Sequence, residues 1–599
     1  MLVKLSISGI KARLQDYLVL FSGLVVTAGI FYMFEALASN KAFLESNSTI
    51  SSVVVIFQIG SVLLGIITFV YLLYANSFLL NMRQKEYGMF MMLGAKVKKI
   101  AQLIFIETFL VGVVATALGS ALGILLAKVV NALLVSQLDL SIQHFQAFNQ
   151  KALLITLIFF SALFLLAAIV NATKISQKTI LSLLKDASTP APNPRKMPGL
   201  ILESIFGVAL LAAGYYFMSD LVRFQLIGII MALITIVLGT YFVFHGLVLL
   251  FLQTLKQKDS VIYHGLQNFT LSQLTFRLKD YTKILSLVAM LFALALGALT
   301  VGIGFKNDIV KMTKQSTAYD LILNNSQLIE KKQLADLDIT KEVVYRQKED
   351  DQGIYYVATD FDKTPLQAPD YSQKNPKGYV SYSGETLMAD LTAQDDLRRL
   401  ETFDQQGKEI HFLSEADFAA LGVPEQQLSL IRVKDFEKQL PELKKLVKVN
   451  KANNPSITQE QDYQQRATMY ELFNGLYSGF EFMGFFLGIA FLTMLASCLM
   501  FKILSGANSD IRRYDMLQKI GTRKKLLKGS LKKEIALLFL APGILGTIHV
   551  LFGLRMFDTL LQNPYASIGV PFGLFGVIYF GYYLLTVKLY ERIVLPSKE

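Results

Sequence analysis

Ten long apolar runs dominate this 599-residue sequence and restrict what it can fold into. A helix that crosses a bilayer needs about 20 mostly apolar residues. Such runs lie near residues 17–38, 53–76, 101–127, 152–172, 199–218, 224–252, 284–305, 478–500, 535–556 and 572–590. Hydrophobic residues make up 53% of the chain and charged residues only 17%, whereas soluble proteins average roughly 45–50% and about 25%. The sequence therefore predicts an all-α polytopic membrane protein with ten transmembrane helices.

Basic residues are concentrated in three loops that ten spans would place on one side of the membrane. Loops 77–100, 173–198 and 501–534 each carry at least five Lys and Arg residues. Because Lys and Arg are enriched in cytoplasmic loops, the sequence predicts that both termini are cytoplasmic. Anionic membrane lipids account for the basic excess, and no nucleic-acid partner is predicted.

One polar stretch, residues 306–475, interrupts the membrane pattern between the seventh and eighth runs. It contains 22 Lys and Arg against 28 Asp and Glu, a net charge of −6, whereas the rest of the chain has a net charge of +18. Alternating apolar residues predict strands near 342–345 and 353–358, and helical spacing predicts helices over 414–421 and 435–449. The stretch is therefore predicted to be an inserted α+β extracytoplasmic domain.

Residue types that commonly form catalytic or metal sites are sparse. Cys498 is the only cysteine, and the five histidines are far apart and form no HExxH pattern. No GxxxxGK[ST] phosphate-binding loop occurs. We therefore predict no catalytic residues, no metal site and no cofactor on this chain.

Two sequence patterns recur in the same order and indicate an internal repeat. Arg13–Tyr17 (RLQDY) returns before the seventh run as Arg277–Tyr281 (RLKDY), each within a basic amphipathic stretch predicted to lie in the cytoplasmic membrane interface. A second set also returns with its internal spacing unchanged: Tyr87, Gly94 and Glu107 correspond to Tyr514, Gly521 and Glu534. The second set is displaced farther than the first, by about the length of the polar stretch. That stretch is therefore predicted to be an insertion in the second copy.

The repeat predicts two four-helix units, spans one to four and seven to ten, joined by spans five and six. The predicted segments are 1–175, 176–260, 261–305, 306–475 and 476–599. Both glycines are predicted to end a helix, and Glu86–Leu93 is predicted to be a short helix between two spans. This helix either transmits force from a soluble partner or simply packs on the bundle. Glu107 and Glu534 are either functional or form interfacial ion pairs with Lys99 and Lys533.

The segment Arg83–Ala95 (RQKEYGMFMMLGA) resembles the loop signature of FtsX/MacB-type permeases, in which an acidic–aromatic–glycine start precedes Leu-Gly-Ala. With ten spans and a large domain after the seventh, the whole chain resembles the BceB-type permeases of bacitracin-resistance ABC transporters. The two four-helix units are then FtsX-like units. The resemblance places the chain in the plasma membrane of a Gram-positive bacterium.

The resemblance also implies partners. A separate cytosolic ABC ATPase dimer would bind ATP and Mg²⁺, and many such permeases associate with a membrane sensor histidine kinase. Their substrates are antimicrobial peptides that bind lipid-linked cell-wall intermediates. Ligand-binding residues are not identified beyond 306–475 and the adjoining helix ends. The alternative is a mechanotransmitting signalling adaptor of the same fold that moves no substrate.

Residues matching the ATPase-facing loop of this family are Glu86, Tyr87, Gly88, Met89 and Gly94, and in the second copy Arg513, Tyr514, Leu517 and Gly521. The second copy departs from the pattern, because Arg513 occupies the position of Glu86 and Asp515 that of Gly88. The two ATPase contacts are therefore unequal, or the second is mainly structural.

Overall fold

The structure is a computed structural model that describes residues 2–12, 14–39, 48–138, 146–177, 197–258, 266–370, 378–558, 560, 561, 563–566 and 568–595. Arg13 and most of the predicted basic loop 173–198 lie outside the described residues. The chain divides into two compact units. We call Met1–Phe305 with Ser478–Glu599 the membrane unit and Lys306–Tyr477 the polar unit.

Long helices make up the membrane unit. Its first part contains α1 (Leu2–Ala12), α2 (Leu14–Ala38), α3 (Ser48–Met92), α4 (Val97–Leu138), α5 (Gln150–Ser176), α6 (Met197–Ser219), α7 (Leu221–Phe242), a π-helical segment (Val243–Leu247), α8 (Val248–Leu255) and α9 (Gln267–Ser316). Within the residues described, ten helical stretches are long and apolar enough to cross a membrane. Each of the ten predicted spans overlaps one of them, so the prediction of a mostly helical, multi-pass membrane protein is confirmed.

The polar unit is built on a five-stranded sheet with the order β1-β7-β2-β3-β6 and a two-stranded sheet formed by β4 and β5. Among the strand pairs of the described residues, β3 and β6 are parallel and the others are antiparallel. The strands are β1 (Leu321–Leu323), β2 (Ile339–Glu349), β3 (Gly353–Val357), β4 (Leu366–Pro369), β5 (Tyr379–Tyr382), β6 (Glu409–Leu413) and β7 (Glu425–Val433). The predicted strands near 342–345 and 353–358 correspond to β2 and β3.

In the described part of this unit, a short 3₁₀ helix (Ser326–Leu328) and eight α-helices accompany these sheets: α10 (Lys331–Leu334), α11 (Ala358–Lys363), α12 (Gly384–Ala389), α13 (Leu391–Arg398), α14 (Phe403–Gln406), α15 (Glu415–Ala420), α16 (Phe436–Asn453) and α17 (Gln459–Asp462). The predicted helices near 414–421 and 435–449 correspond to α15 and α16. The alternation of a strand sends Leu428 and Leu430 of β7 into one buried cluster and Ile431 and Val433 into another. The sheet therefore has a hydrophobic core on each face.

After the polar unit the chain continues with α18 (Arg466–Lys519), α19 (Lys524–Gly553), a 3₁₀ segment (Leu554–Phe557) and α20 (Gly569–Val594). Small residues let some of the spans approach closely. A Cβ atom added at Gly123 of α4 would lie 2.5 Å from the carbonyl oxygen of Gly29 in α2, so this crossing tolerates only glycine at that position. Apolar side chains elsewhere face outward, as at Leu202 and Val222, which is appropriate for contact with lipid.

The two amphipathic stretches predicted to lie in the membrane interface differ in the structure. In α1, Val3 and Ile7 are exposed, as an interfacial helix requires. The second stretch is the beginning of the continuous helix α9, and its apolar residues Leu274, Leu278 and Tyr281 are buried in the protein. The apolar stripe of this second stretch therefore packs against other helices of the membrane unit, and its location in the membrane interface stays a prediction.

Candidate functional site

The predicted coupling segments are the ends of very long helices. We expected Glu86–Leu93 to be a separate short helix, but it belongs to α3, which runs unbroken from Ser48 to Met92. The apolar window of α3 ends at Ala75, so Met89 lies 14 residues farther along the helix, about 21 Å at 1.5 Å per residue. Helix α18 likewise continues beyond its window, which ends at Ala507. The prediction of a short joining helix is therefore wrong.

Both helices end with the same glycine cap, as predicted. Gly94 has φ = 96° and Gly521 has φ = 97°, a left-handed conformation that glycine adopts without the steric penalty of a Cβ atom. The hydrogen bonds of a Schellman motif are present at each, from Gly94 N to Met91 O and Ala95 N to Phe90 O, and from Gly521 N to Gln518 O and Thr522 N to Leu517 O. The two helix ends therefore turn the chain identically.

Replacing Gly94 by alanine is expected to loosen this turn, because a Cβ atom in the left-handed region costs roughly 1 kcal/mol. Amide hydrogen exchange in residues 89–96 should become about fivefold faster. Asparagine tolerates this conformation, so Gly94→Asn should have a smaller effect. Gly529→Ala, in the interior of α19 with open space around it, serves as a control. Unchanged hydrogen exchange in Gly94→Ala would contradict the expected cost of placing a Cβ atom in the left-handed conformation at this position.

Exposed apolar side chains flank both caps. Met89 is 49% exposed and Leu93 is 85% exposed, and their counterparts in the second copy, Met516 and Ile520, are 58% and 75% exposed. Residues four apart lie on the same face of a helix, so each helix end presents a matched apolar pair beyond its apolar window. We call these the two apolar tips. Clustered exposed apolar residues mark interaction surfaces.

Sequence reasoning selected Met89 but missed Leu93, Met516 and Ile520. A signal was available, because each pair has helical i, i+4 spacing directly before a basic stretch and the pairs occupy equivalent positions in the repeat. Lys96 and Lys98 follow the first tip, and Arg523 and Lys524 follow the second, and all four are exposed. Each tip is therefore an exposed apolar surface bordered by positively charged side chains.

The other predicted site residues divide into outward and inward groups. Glu86 and Arg513 are partly exposed, whereas Tyr87, Gly88 and Tyr514 are buried, and Leu517 is intermediate. Gly94 and Gly521 are exposed at the turns. The buried residues cannot contact a soluble partner directly, so any role of theirs in coupling runs through the helices packed on them.

The two buried tyrosines make the same contact. The Tyr87 hydroxyl lies 3.5 Å from Glu107 Oε2, and the Tyr514 hydroxyl lies 3.4 Å from Glu534 Oε2. Burial, and then the adjacent glutamate, raises the pKa of each phenol, which keeps it a hydrogen-bond donor. The recurring Tyr and Glu therefore join each coupling helix to the next helix, α3 to α4 and α18 to α19.

A buried arginine completes the first of these clusters. Arg83 of α3 forms an ion pair with Glu107 of α4, and its Nε lies 2.9 Å from Glu86 Oε2. Its guanidinium also lies 5.1 Å from the centroid of the Tyr87 ring, within reach of a cation–π interaction.

The second cluster obtains its arginine from elsewhere in the chain. Asp510 occupies the position of Arg83, and Arg277 at the beginning of α9 pairs with both Asp510 and Glu534. Arg277 also donates to the hydroxyl of Tyr590 in α20, which in turn donates to Asp510. The ion-pair alternative for Glu107 and Glu534 named Lys99 and Lys533, whereas the ion pairs in the structure are with Arg83 and Arg277, which the packing of the helices brings in.

Comparison with known proteins shows which families this chain is similar to. The family profile described as "FtsX-like permease C-terminal" matches residues 58–180, which contain the first apolar tip and the first cluster. The bacitracin export permease protein BceB of Bacillus subtilis (strain 168) is 25% identical over 99% of this chain and 99% of its own length. The protein of that name from Halalkalibacterium halodurans is 22% identical over 98% and 99%.

The ABC transporter permease protein YxdM of Bacillus subtilis (strain 168) is 24% identical, and the match covers 85% of each chain. The similarity to the two bacitracin export permeases thus extends over nearly the full length of this chain, including the polar unit, and over nearly the full length of each relative. The helical architecture and the loop motif agree with it. The chain thus contains a region that matches the FtsX-like permease profile, and over nearly its whole length it is similar to BceB-type ABC transporter permeases.

Proposed function

We propose that this chain is the permease subunit of an ABC transporter that confers resistance to cell-wall-targeting antimicrobial peptides of the bacitracin and lantibiotic type. The observation that carries the coupling part of the proposal is the pair of matched apolar tips, each held in place by a glycine cap. The similarity to bacitracin export permeases supports the substrate class.

In this proposal the basic loops and both termini face the cytosol, where an ABC ATPase dimer contacts the two tips. ATP and Mg²⁺ are bound by the ATPase, and this chain contributes no catalytic residue. Each tip offers apolar area and a rim of positive charge, which suits a partner groove with an apolar floor and acidic edges. The different charges at Glu86 and Arg513 make the two contacts unequal.

The helices are proposed to form two FtsX-like four-helix units joined by α6 and α7, with the polar unit inserted in the second and facing outward. The matching tyrosine–glutamate contacts and caps, which recur at equivalent positions of the two copies, support this arrangement. ATP-driven movement of the tips would pass through α3 and α18 into the membrane helices. The polar unit would then release the peptide from its lipid-linked cell-wall target.

A gene deletion tests the proposed function. Loss of this chain is expected to lower the minimal inhibitory concentration of bacitracin or nisin severalfold, and a plasmid copy should restore it. A copy carrying Arg592→Met, at an exposed position of α20, is a control for general effects of a changed surface charge. Unchanged sensitivity together with a lost transcriptional response to peptide would overturn transport and favour the signalling adaptor.

The sensor kinase is a separate part of the proposal. Because many permeases of this type report transport to a membrane histidine kinase, we expect a cognate kinase to co-purify with this chain in detergent. The exposed apolar faces of α6 and α7 provide lipid-facing area for such a contact. A kinase that responds normally to peptide in the deletion strain would contradict this partner.

A further inference from the structure

We propose that Arg277 is a positioning residue that transmits movement of the α18 end to α9, α19 and α20. The inference rests on the proposed function, since it assumes that an ATPase moves the second apolar tip. It assigns a transmission role to a residue that lies outside both predicted coupling loops.

Arg277 is the centre of a fully buried polar cluster, which we call the Arg277 cluster: Arg277, Asp510, Tyr514, Glu534 and Tyr590. Its Nε lies 2.8 Å from Glu534 Oε1, and its Nη2 contacts Asp510 and Tyr590. These residues come from four helices, so one guanidinium links α9, α18, α19 and α20. A planar group with several fixed donors can hold such a geometry, whereas a lysine ammonium is a point charge.

The position of the cluster favours transmission over simple stabilisation. Asp510 is six residues before Met516 on the same helix, so a displacement of the second tip reaches the cluster directly. Gln273, one turn before Arg277 on α9, contacts Arg513 of α18 at 2.8 Å. Two successive turns of α9 are thus attached to the coupling end of α18.

The arginine of the first cluster is placed differently. Arg83 sits on the coupling helix itself and pairs with Glu107 of α4. In the second copy Asp510 stands at the equivalent position, so the cation for Glu534 comes from α9 instead. The second tip therefore drives α9 as well as α19, and α9 leads towards the polar unit along the sequence.

Removing Arg277 alone would take away the arginine partner of buried Glu534 and one of the two arginines beside buried Asp510, whose other arginine contact is Arg513 at 3.3 Å. Breaking buried ion pairs on one side is strongly destabilising in general. The decisive variant therefore neutralises the whole cluster, with Arg277→Met, Asp510→Asn and Glu534→Gln together. Neutral replacement of a buried ion network commonly preserves folding. Arg592→Met, which removes an exposed arginine from α20, is the matched control.

The experiment measures hydrogen exchange of the full permease bound to its cognate ATPase, with and without ATP and Mg²⁺. In the wild type and in Arg592→Met, ATP should change exchange at least about fivefold in residues 508–520, 267–281 and 524–540. In the neutral triple variant the change should persist in 508–520 and become clearly smaller in 267–281, where the contact of Gln273 with Arg513 remains. The triple variant should also lower resistance to bacitracin, while its melting temperature and its binding of the ATPase stay at wild-type levels.

An unaltered ATP response in 267–281 of the triple variant would overturn the role of Arg277. No ATP response anywhere in the wild type would instead overturn the proposed ATPase coupling, so the two failures are distinguishable. If the triple variant does not fold, Arg277→Lys decides by the same measurement. Lysine keeps the charge but cannot bridge both carboxylates and Tyr590, so the response in 267–281 should be reduced, and a full response would overturn the proposal.

Discussion

Replacing Leu93 by aspartate is expected to abolish binding of the ATPase at the first apolar tip, and Ile520→Asp should do the same at the second. Each side chain is among the most exposed apolar residues of the membrane unit, and each lies beyond the apolar window of its helix. A carboxylate placed in a contact that excludes water loses its hydration without gaining a partner. Interface residues of this kind cost about 2 kcal/mol or more when replaced.

Co-purification of the ATPase with the tagged permease measures this loss, and bacitracin resistance should fall to the level of the deletion strain. Because both side chains point into open space, neither replacement should lower the melting temperature of the permease. Leu328→Asp, which charges an exposed position in the polar unit, is the matched control and should retain the ATPase. Normal recovery of ATPase with Leu93→Asp would show that the tip is not the docking surface.

The stability of the polar unit is expected to fall as the pH rises from about 4.5 to about 8, because of Glu401. This side chain is 1% exposed, and within the described part of the chain neither carboxylate oxygen has a hydrogen-bond partner. Burial, together with the charge of Glu349, raises the pKa of Glu401 from 4.5 to about 8. The folded state therefore holds a proton that the unfolded chain releases above pH 4.5.

The contribution of protonated Glu401 to the stability of the polar unit is fully present below pH 4.5 and is lost as the pH rises through 8. Between these limits the free energy of unfolding falls by about 1.4 kcal/mol per pH unit. Pulse proteolysis of the full-length protein in urea, at a series of pH values, measures the midpoint for the polar unit. Glu401→Gln should flatten this dependence and stabilise the unit at pH 8. Glu409→Gln, at a largely exposed carboxylate, should leave the slope unchanged. An identical slope in Glu401→Gln would assign the pH dependence to another group.

Features governed by local pattern were predictable from the sequence. Runs of apolar residues specify a spanning helix without reference to the rest of the chain, and all ten are found in the helices described. Gly94 and Gly521 were predictable as caps because a left-handed turn needs glycine whatever surrounds it. The alternation of apolar residues around Tyr345 and Tyr356 predicted two strands, because it too is a local pattern.

Features that depend on packing between distant segments were not predictable. Arg277 and Glu534 lie on opposite sides of the polar unit in the sequence, and only the packing of α9 on α19 makes them partners. Each also has a nearer charge of opposite sign in sequence, which is why sequence reasoning named Lys533 as an alternative partner of Glu534. The burial of Tyr87 and Tyr514 has the same origin, because a tyrosine in an amphipathic helix fits either an interface or a core.

Helix α3 has 45 residues without a break, so it is about 68 Å long. A tilt of about 5° around one end displaces the other by about 6 Å, slightly more than the 5.4 Å pitch of a helix. A small rotation of this helix within the bilayer would therefore displace its far end by several ångströms. In the proposed coupling, such a displacement would transmit movement of the ATPase across the membrane without opening a channel through it.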